Sequence, residues 1–344
     1  MYQSKKKIII IIAIIVLVLL ILGIVLTVCL KNKKIDVSNA IPGVVLENNV
    51  NFHKSAKLEN VKIYKQVDVG THAYILESFE GKDGNNWSKV VIENKIGYIL
   101  SSQVSGYEKS EKEMMLMADV SKFNKIYNFD TSGEFAAFLI NNNIDCVYVR
   151  AGGRGYGEAG KFYYDENFEM WANECEYLQI PFGFYFLDEA LNSEEIDEEV
   201  DFIKEFLEEN NYEYAVLPIA LDIEKHDGGR AEEIWEERAS LVSELIRDLK
   251  REDIETIVYS NAKTASEFLS SVNTKFWLAY YPTLNGKIPD YWYTETDQES
   301  VQNEQLMRKM IAWQFTENGV GTVIQDKVDI SLVYSDFLEK YIEK

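Results

Sequence analysis

The chain has 344 residues, which is long enough for a barrel-sized domain and an accessory module. Its 35 Lys and Arg residues are outnumbered by 57 Asp and Glu, and the net charge of −22, with no basic stretch after the first 34 residues, argues against nucleic acid as a partner. The three cysteines do not suggest a disulfide framework. The three histidines are too few for a multi-histidine metal centre, so we expect no cofactor. We therefore expect carboxylates to carry out any acid–base chemistry.

The N-terminal segment is predicted to anchor the chain in a membrane. Ile8–Leu30 contains 23 consecutive residues without a charge, and as a helix it would cover roughly 34 Å, enough to span a bilayer core. A cleaved signal peptide is the competing interpretation, but the run is too long for one and no small-x-small cleavage site follows. We expect a tail (1–7), a transmembrane helix (8–30) and a linker (31–40). Lysines flank the helix on both sides, so its orientation, with the C-terminal domains extracytoplasmic, is inferred from those domains.

Residues 41–107 are predicted to form a small all-β module, because short runs of strand character alternate with turn-rich pieces. The predicted strands are Val61–Val67, Ala73–Phe79, Trp87–Ile92 and Ile96–Leu100. The last two resemble the closing hairpin of bacterial SH3-like domains, and Val50-Asn51-Phe52 resembles their opening strand, although His53-Lys54-Ser55 replaces the usual Arg-Ser-Gly. The resemblance implies binding of wall peptides, and a folded spacer that lifts an enzyme off the membrane is the alternative.

After a linker at 108–114, residues 115–344 alternate between apolar runs of strand length and segments of helical period. About seven or eight such units predict an α/β fold, a (β/α) barrel of the TIM type. The predicted strands are Met115–Val120, Cys146–Arg150, Phe182–Leu187, Leu217–Ile223, Thr256–Tyr259, Phe276–Tyr280 and Ile311–Phe315.

Acidic residues end two of these strands, at the positions where such barrels place their chemistry. Asp119 closes the first strand, and Asp222 and Glu224 close the fourth. Residues two apart in a strand share a face, with Cα atoms roughly 6.5 to 7 Å apart. A carboxyl group beside a carboxylate resists ionisation and can donate a proton to a leaving-group oxygen, as glycoside hydrolysis requires. The alternative is that these acids cap the following helices.

A series of motifs supports the catalytic interpretation. They are Asp119-Val120-Ser121, Val149-Arg150-Ala151-Gly152, Gly183-Phe184-Tyr185, Leu221-Asp222-Ile223-Glu224, Tyr259-Ser260, Trp277-Leu278-Ala279-Tyr280-Tyr281, Ala312-Trp313-Gln314 and Val328-Asp329-Ile330. In this order they resemble the family 25 glycoside hydrolases, the lysozyme-like muramidases of bacteria and their phages. The resemblance extends from Met117 to Tyr334.

The resemblance implies the roles of the acids. Glu224 would be the general acid, with Asp119, Asp222 and Asp329 as the other carboxylates of the site. The family cleaves the β-1,4 bond between N-acetylmuramic acid and N-acetylglucosamine, so the expected partner is the peptidoglycan glycan strand. The second step could use an enzyme carboxylate or the acetamido group of the substrate, which Asp222 could orient.

Aromatic residues within the motifs are predicted to bind sugar rings, because their flat apolar faces suit a pyranose ring and their polar edges bond its hydroxyls. The predicted substrate-binding residues are Tyr185, Tyr280 and Trp313, together with Arg154 in the Gly152–Gly160 loop, whereas Trp277 is assigned to barrel packing. The family usually has Tyr-His-Phe where this chain has Tyr185-Phe186-Leu187, so we expect the subsite contacts of that histidine to differ in this chain. Asp188, which follows, is either a further site carboxylate or, as we favour, a helix cap.

Two alternatives to a membrane-anchored muramidase remain. A non-catalytic wall-binding scaffold on a degenerate barrel would explain the missing histidine, although the four family carboxylates are present. A glycosidase that acts on another glycan would keep the chemistry and change the substrate.

Overall fold

The computed structural model describes residues 34–155, 159–225, 229–281, 303–317 and 328–342. The predicted tail and membrane span, residues 1–30, lie outside the described residues. Within the described ranges, no helix combines the length and the apolar character needed to cross a bilayer.

The first structural unit is a seven-stranded antiparallel sheet with the strand order β3-β2-β6-β5-β4-β1-β7. The predicted strands of this region are confirmed to within two residues. The β5–β6 hairpin turns at Glu93 and Asn94, which adopt positive φ angles of 47° and 59°, as a tight two-residue turn requires. The strands are β1 (Ile41–Val45), β2 (Val50–His53), β3 (Ile63–Val67), β4 (His72–Glu80), β5 (Asn86–Ile92), β6 (Lys95–Leu100) and β7 (Val104–Gly106).

The second sheet contains a closed barrel of eight strands in the order β8-β9-β11-β12-β13-β14-β15-β16, closed because β16 pairs with β8. Short β10 pairs with the outer part of β9. A regular βα repeat predicts parallel pairing throughout, but β16 is antiparallel to both of its neighbours. The strands are β8 (Met114–Val120), β9 (Cys146–Arg154), β10 (Phe162–Tyr164), β11 (Phe182–Leu187), β12 (Ile219–Asp222), β13 (Thr256–Asn261), β14 (Phe276–Ala279), β15 (Met310–Thr316) and β16 (Asp329–Tyr334).

Helices cover the outside of the barrel. Thr131 and Glu134 form a capping box at the start of α2. Asn192 caps α4 by accepting a hydrogen bond from the Glu195 N–H, so the prediction that Asp188 caps this helix is wrong. The helices are α1 (Lys122–Tyr127), α2 (Ser132–Asn141), α3 (Phe168–Leu178), α4 (Ser193–Glu209), α5 (Arg238–Arg251), α6 (Ala262–Thr264), α7 (Glu304–Met307) and α8 (Ser335–Ile342), with 3₁₀ segments at Ser101–Gln103 and Arg230–Glu237 and a π-helical turn at Ala265–Leu269.

Two apolar layers hold the barrel together, one inside it and one between its strands and the helices. Trp277 lies in the inner layer, stacked on Tyr148 at a centroid distance of 5.1 Å. Phe186 lies in the outer layer, where its ring packs edge-on against Phe206 at 5.2 Å. The replacement of the family histidine therefore falls on the side of β11 that faces the helices.

The β module packs against helix α3 of the barrel. The Tyr177 hydroxyl lies 3.0 Å from the Gly43 carbonyl oxygen and 3.2 Å from that of Ala73, and donates to these two carbonyls of the module. The His72 ring stacks on the Tyr177 ring at 3.8 Å, and its Nε2 lies 2.8 Å from the Glu174 carboxylate. These contacts join the two sheets by specific polar and aromatic interactions rather than by the connecting chain alone.

We expect Tyr177→Phe to loosen this contact and to lower the free energy of unfolding by about 1–2 kcal/mol, because two part-buried carbonyls lose their donor. Urea unfolding would measure the loss, and hydrogen exchange would place it in residues 41–107. Tyr212→Phe is the matched control, since the structure gives the Tyr212 hydroxyl no hydrogen bond to the described residues. Equal effects of the two substitutions would contradict the assigned role.

Candidate active site

A cleft of about 330 Å³ opens at the ends of the barrel strands. A larger cavity of about 610 Å³ lies at the opposite end, where β13 and β14 begin, away from all four predicted catalytic acids. Among the described residues no His, Cys, Asp and Glu group suited to hold a metal ion is found. The cleft is lined by Asp119, Ser121, Phe123, Arg150, Tyr163, Tyr185, Leu187, Asp222, Glu224, Tyr259, Trp277, Tyr281, Gln314, Glu317 and Asp329.

Asp222 is the last residue of β12, and Glu224 follows two positions later. The intervening peptide is fixed, because the Ile223 N–H donates to the Tyr259 carbonyl (2.9 Å) and the Ser260 hydroxyl donates to the Ile223 carbonyl (2.7 Å). The Asp222 Oδ1 atom is buried and accepts no hydrogen bond from the described residues. Burial, and then the charge of Glu224, raises the pKa of Asp222 well above its usual range.

A second pair of acids lies beside the first. Asp119 on β8 and Asp329 on β16 are directly opposite in the antiparallel ladder, and their side chains hydrogen-bond each other. Burial, assisted by the charge of Glu224, raises the pKa of Asp119 to about 7 even though it accepts a hydrogen bond from Gln314. Burial and the neighbouring charge of Asp119 raise the pKa of Asp329 well above its usual range. A hydrogen bond between two carboxyl groups needs a proton, so Asp119 and Asp329 share one.

Gln314 connects this pair to the aromatic wall of the cleft. Its Nε2 donates to Asp119 Oδ2 at 2.8 Å, and its Oε1 accepts hydrogen bonds from the hydroxyls of Tyr259 (2.8 Å) and Tyr281 (2.5 Å). Because both tyrosine hydroxyls donate to the same oxygen, the amide orientation of Gln314 is fixed. The network holds Asp119 in one position.

The buried acids should make the protein less stable as pH rises. A carboxyl whose pKa is raised by folding binds a proton that the unfolded chain has already lost, so stability falls from about pH 4 until the folded-state pKa is passed. We expect the free energy of unfolding to be lower at pH 8 than at pH 5 by on the order of a few kcal/mol.

Asp119→Asn should reduce the difference between pH 5 and pH 8, because the amide does not titrate. Urea unfolding of both proteins at the two pH values measures this directly. The same pH dependence in wild type and variant would show that Asp119 is not one of the groups responsible.

The structure brings five of the predicted site residues into one cleft: Asp119, Asp222, Glu224, Asp329 and Tyr185. Other cleft residues were not predicted as site residues. Arg150, Tyr281 and Gln314 occur inside motifs that were recognised in the sequence, while Phe123 and Tyr163 lie outside these motifs.

Three predicted substrate-binding residues do not reach the cleft. Trp313 is fully buried in the outer layer and its Nε1 donates to the Tyr280 carbonyl at 2.7 Å. The Tyr280 side chain packs against the same outer layer. Arg154 is buried beside α4, where its Nε donates to Glu199 at 2.9 Å and an Nη donates to Glu198 at 3.0 Å. Arg154 therefore fixes the end of β9 to helix α4.

A closed barrel with four clustered carboxyl groups and aromatic walls at its strand ends has the arrangement that glycoside hydrolysis requires. Residues 118–322 match the sequence model of glycosyl hydrolases family 25. The chain belongs to this family and is a glycoside hydrolase.

Solved structures with a similar fold include the modular autolysin LytC of Streptococcus pneumoniae, with 19% identity and a TM-score of 0.47 over 85% of this chain and 58% of that one. The spore cortex lytic enzyme SleM of Clostridium perfringens has 19% identity and a TM-score of 0.48, over 66% of this chain and 69% of that one. A family 25 glycosyl hydrolase of Bacillus anthracis has 15% identity and a TM-score of 0.47, over 69% and 97%. The chain thus spans little more than half of the autolysin. No curated protein sequence matches it.

Proposed function

We propose that this glycoside hydrolase is a membrane-anchored peptidoglycan hydrolase that cleaves the β-1,4 bond between N-acetylmuramic acid and N-acetylglucosamine. One observation carries the proposal: Asp119, Asp222, Glu224 and Asp329 all line the same cleft of a family 25 domain. The cleft lies at the strand ends, where barrel enzymes carry out their chemistry.

In the proposed mechanism Glu224 protonates the glycosidic oxygen. Asp222 Oδ1, which lacks a hydrogen-bond donor, accepts one from the N–H of the substrate acetamido group and turns its carbonyl oxygen toward the anomeric carbon. This arrangement favours participation of the acetamido group over a covalent bond to the enzyme. Asp119 and Asp329 share a proton beside these groups and hold the opposite wall of the cleft.

The proposed anchor is the uncharged segment Ile8–Leu30, which would hold the enzyme at the membrane with its domains extracytoplasmic. We assign residues 41–107 to an SH3-like module that binds wall peptides, 108–114 to a linker, and 115–344 to the catalytic domain. The module exposes the Tyr64 ring, with the Lys54 ammonium group 4.9 Å from its centroid. Exposed aromatic and cationic groups of this kind suit a peptide that carries carboxylates.

The test is digestion of purified peptidoglycan by the full chain in detergent, followed by mass spectrometry of the reduced products. The proposal expects N-acetylmuramic acid at the new reducing ends. N-acetylglucosamine reducing ends would indicate a different bond, and digestion of chitin oligosaccharides alone would indicate a different glycan. Binding to the wall without release of any product would favour the scaffold alternative.

A further inference from the structure

The cleft contains one cation among five acids. Of its described lining residues only Arg150 carries a positive charge, whereas Asp119, Asp222, Glu224, Glu317 and Asp329 are acidic. Arg150 lies on β9, opposite Tyr185 in the parallel ladder with β11. A guanidinium in a proton-donating site is a group for binding an anion or a carbonyl oxygen.

The Arg150 side chain is held in place from one side. Its Nε donates to Asp165 Oδ2 at 2.6 Å, and the fully buried Asp165 carboxylate also accepts from the backbone N–H groups of Lys122 and Asn167, each at 3.0 Å. The ring of Phe123 lies 5.1 Å from the guanidinium carbon. The side chain is therefore rigid before any substrate arrives.

The far end of the guanidinium is unpaired. Its Nη2 atom is buried without a hydrogen-bond partner among the described residues, and neither terminal nitrogen donates to any of them. An unpaired buried donor is unfavourable, and a ligand oxygen that accepts its hydrogen bond would remove this cost. The two terminal N–H groups form a fork that fits a carboxylate.

The position of the fork indicates which part of the glycan it meets. β9 is two strands from β12, about 10 Å away at the usual spacing between strands. A sugar ring bound with its anomeric carbon near Asp222 and Glu224, together with a substituent on its third carbon, covers that distance. In N-acetylmuramic acid this substituent is a lactyl ether that ends in a carboxyl group.

We propose that Arg150 binds the free lactyl carboxylate of N-acetylmuramic acid, so that the enzyme prefers glycan strands whose stem peptides have been removed. The inference rests on the proposed function and adds a substrate class to it. A lactyl group that carries a peptide is an amide and offers a neutral carbonyl oxygen, whereas the free carboxylate makes charge-assisted bonds of about twice the strength. The preceding reaction must then be hydrolysis of that amide, in which water yields the carboxylate on the sugar and a free amine on the peptide.

The experiment compares kcat/KM of the full chain on strands with free lactyl carboxylates, on strands that keep their peptides, and on chitin oligosaccharides. We expect wild type to prefer the free carboxylate over the peptide-bearing strand by roughly 10-fold, the difference that one charge-assisted pair provides. Arg150→Gln should reduce this ratio to near 1, and Arg150→Lys, which keeps the charge without the fork, should give an intermediate ratio. Each ratio is measured within one preparation, so partial unfolding of a variant does not alter it.

Lys122→Gln is the matched control, because it removes a neighbouring positive charge that does not line the cleft, and its ratio should remain that of wild type. A wild-type ratio near 1, or an Arg150→Gln variant that loses rate equally on all three glycans, would overturn the inference and assign Arg150 to the electrostatics of Asp222. No cleavage of any glycan by wild type would instead overturn the proposed function.

Discussion

Replacement of Glu224 with glutamine is expected to lower kcat on peptidoglycan by about 10³-fold or more, because the amide has the same shape but no proton to give to the leaving oxygen. The peptide that carries Glu224 is fixed by the hydrogen bonds of Ile223 to Tyr259 and Ser260, so the substitution should leave the fold and the binding of wall fragments intact. The release of reducing ends measures the rate. Binding of the fragments is measured separately.

The control for this experiment is Glu213→Gln, a change of the same kind at an exposed position outside the cleft. It should leave kcat within error of wild type. A Glu224→Gln variant that keeps more than about a tenth of the activity would exclude Glu224 as the proton donor, since general acid catalysis contributes about 10²- to 10⁴-fold.

Asp222→Asn is expected to lower kcat by about 10²-fold on acetylated glycan, because an amide accepts the acetamido N–H more weakly than a carboxylate does. The structure gives Asp222 Oδ1 no other donor among the described residues, so this loss should fall on catalysis. Stability should rise at neutral pH, because burial and the charge of Glu224 make the ionised Asp222 unfavourable.

A de-N-acetylated glycan tests the assigned partner of Asp222. Wild type should cleave it slowly, and Asp222→Asn should cause little further loss on it, since the group that Asp222 orients is already missing. Equal losses on both glycans would assign Asp222 a role that does not involve the acetamido group. The two proteins can be compared with the same reducing-end assay.

Seven of the eight strands of the closed barrel and the acids at strand ends could be predicted from the sequence, while strand β16 and the direction of several side chains could not. Strands of a closed barrel are buried on both faces, so their residues are apolar throughout and the alternation does not show which face is inward. Trp313 was therefore predicted to bind sugar, although the next residue, Gln314, is the one whose side chain enters the cleft. Tyr280 was predicted in the same way, although Tyr281 enters the cleft. Both errors are shifts of one residue, which move a side chain to the opposite face of the strand.

Arg154 was predicted to bind substrate for another reason. A glycine-rich stretch predicts a loop, but β9 continues through Gly152 and Gly153 to Arg154, so Arg154 leaves the barrel beside α4. Strand β16 was not among the strands predicted from the sequence. Its motif identified Asp329 through the family resemblance without revealing the antiparallel pairing with β8. Such pairing joins residues far apart in the chain, and local periodicity carries no information about it.

The contact of Tyr177 and His72 between the β module and helix α3 bears on where a polymer would be cut. A module joined by a free tether would allow the cleft to reach any bond within the length of the tether. When the two surfaces are held against each other, the distance between the module and the cleft is fixed instead. If the module binds a glycan strand while the cleft cleaves it, the fragments should cluster around one number of disaccharide repeats. A free tether would give a broad distribution of fragment lengths.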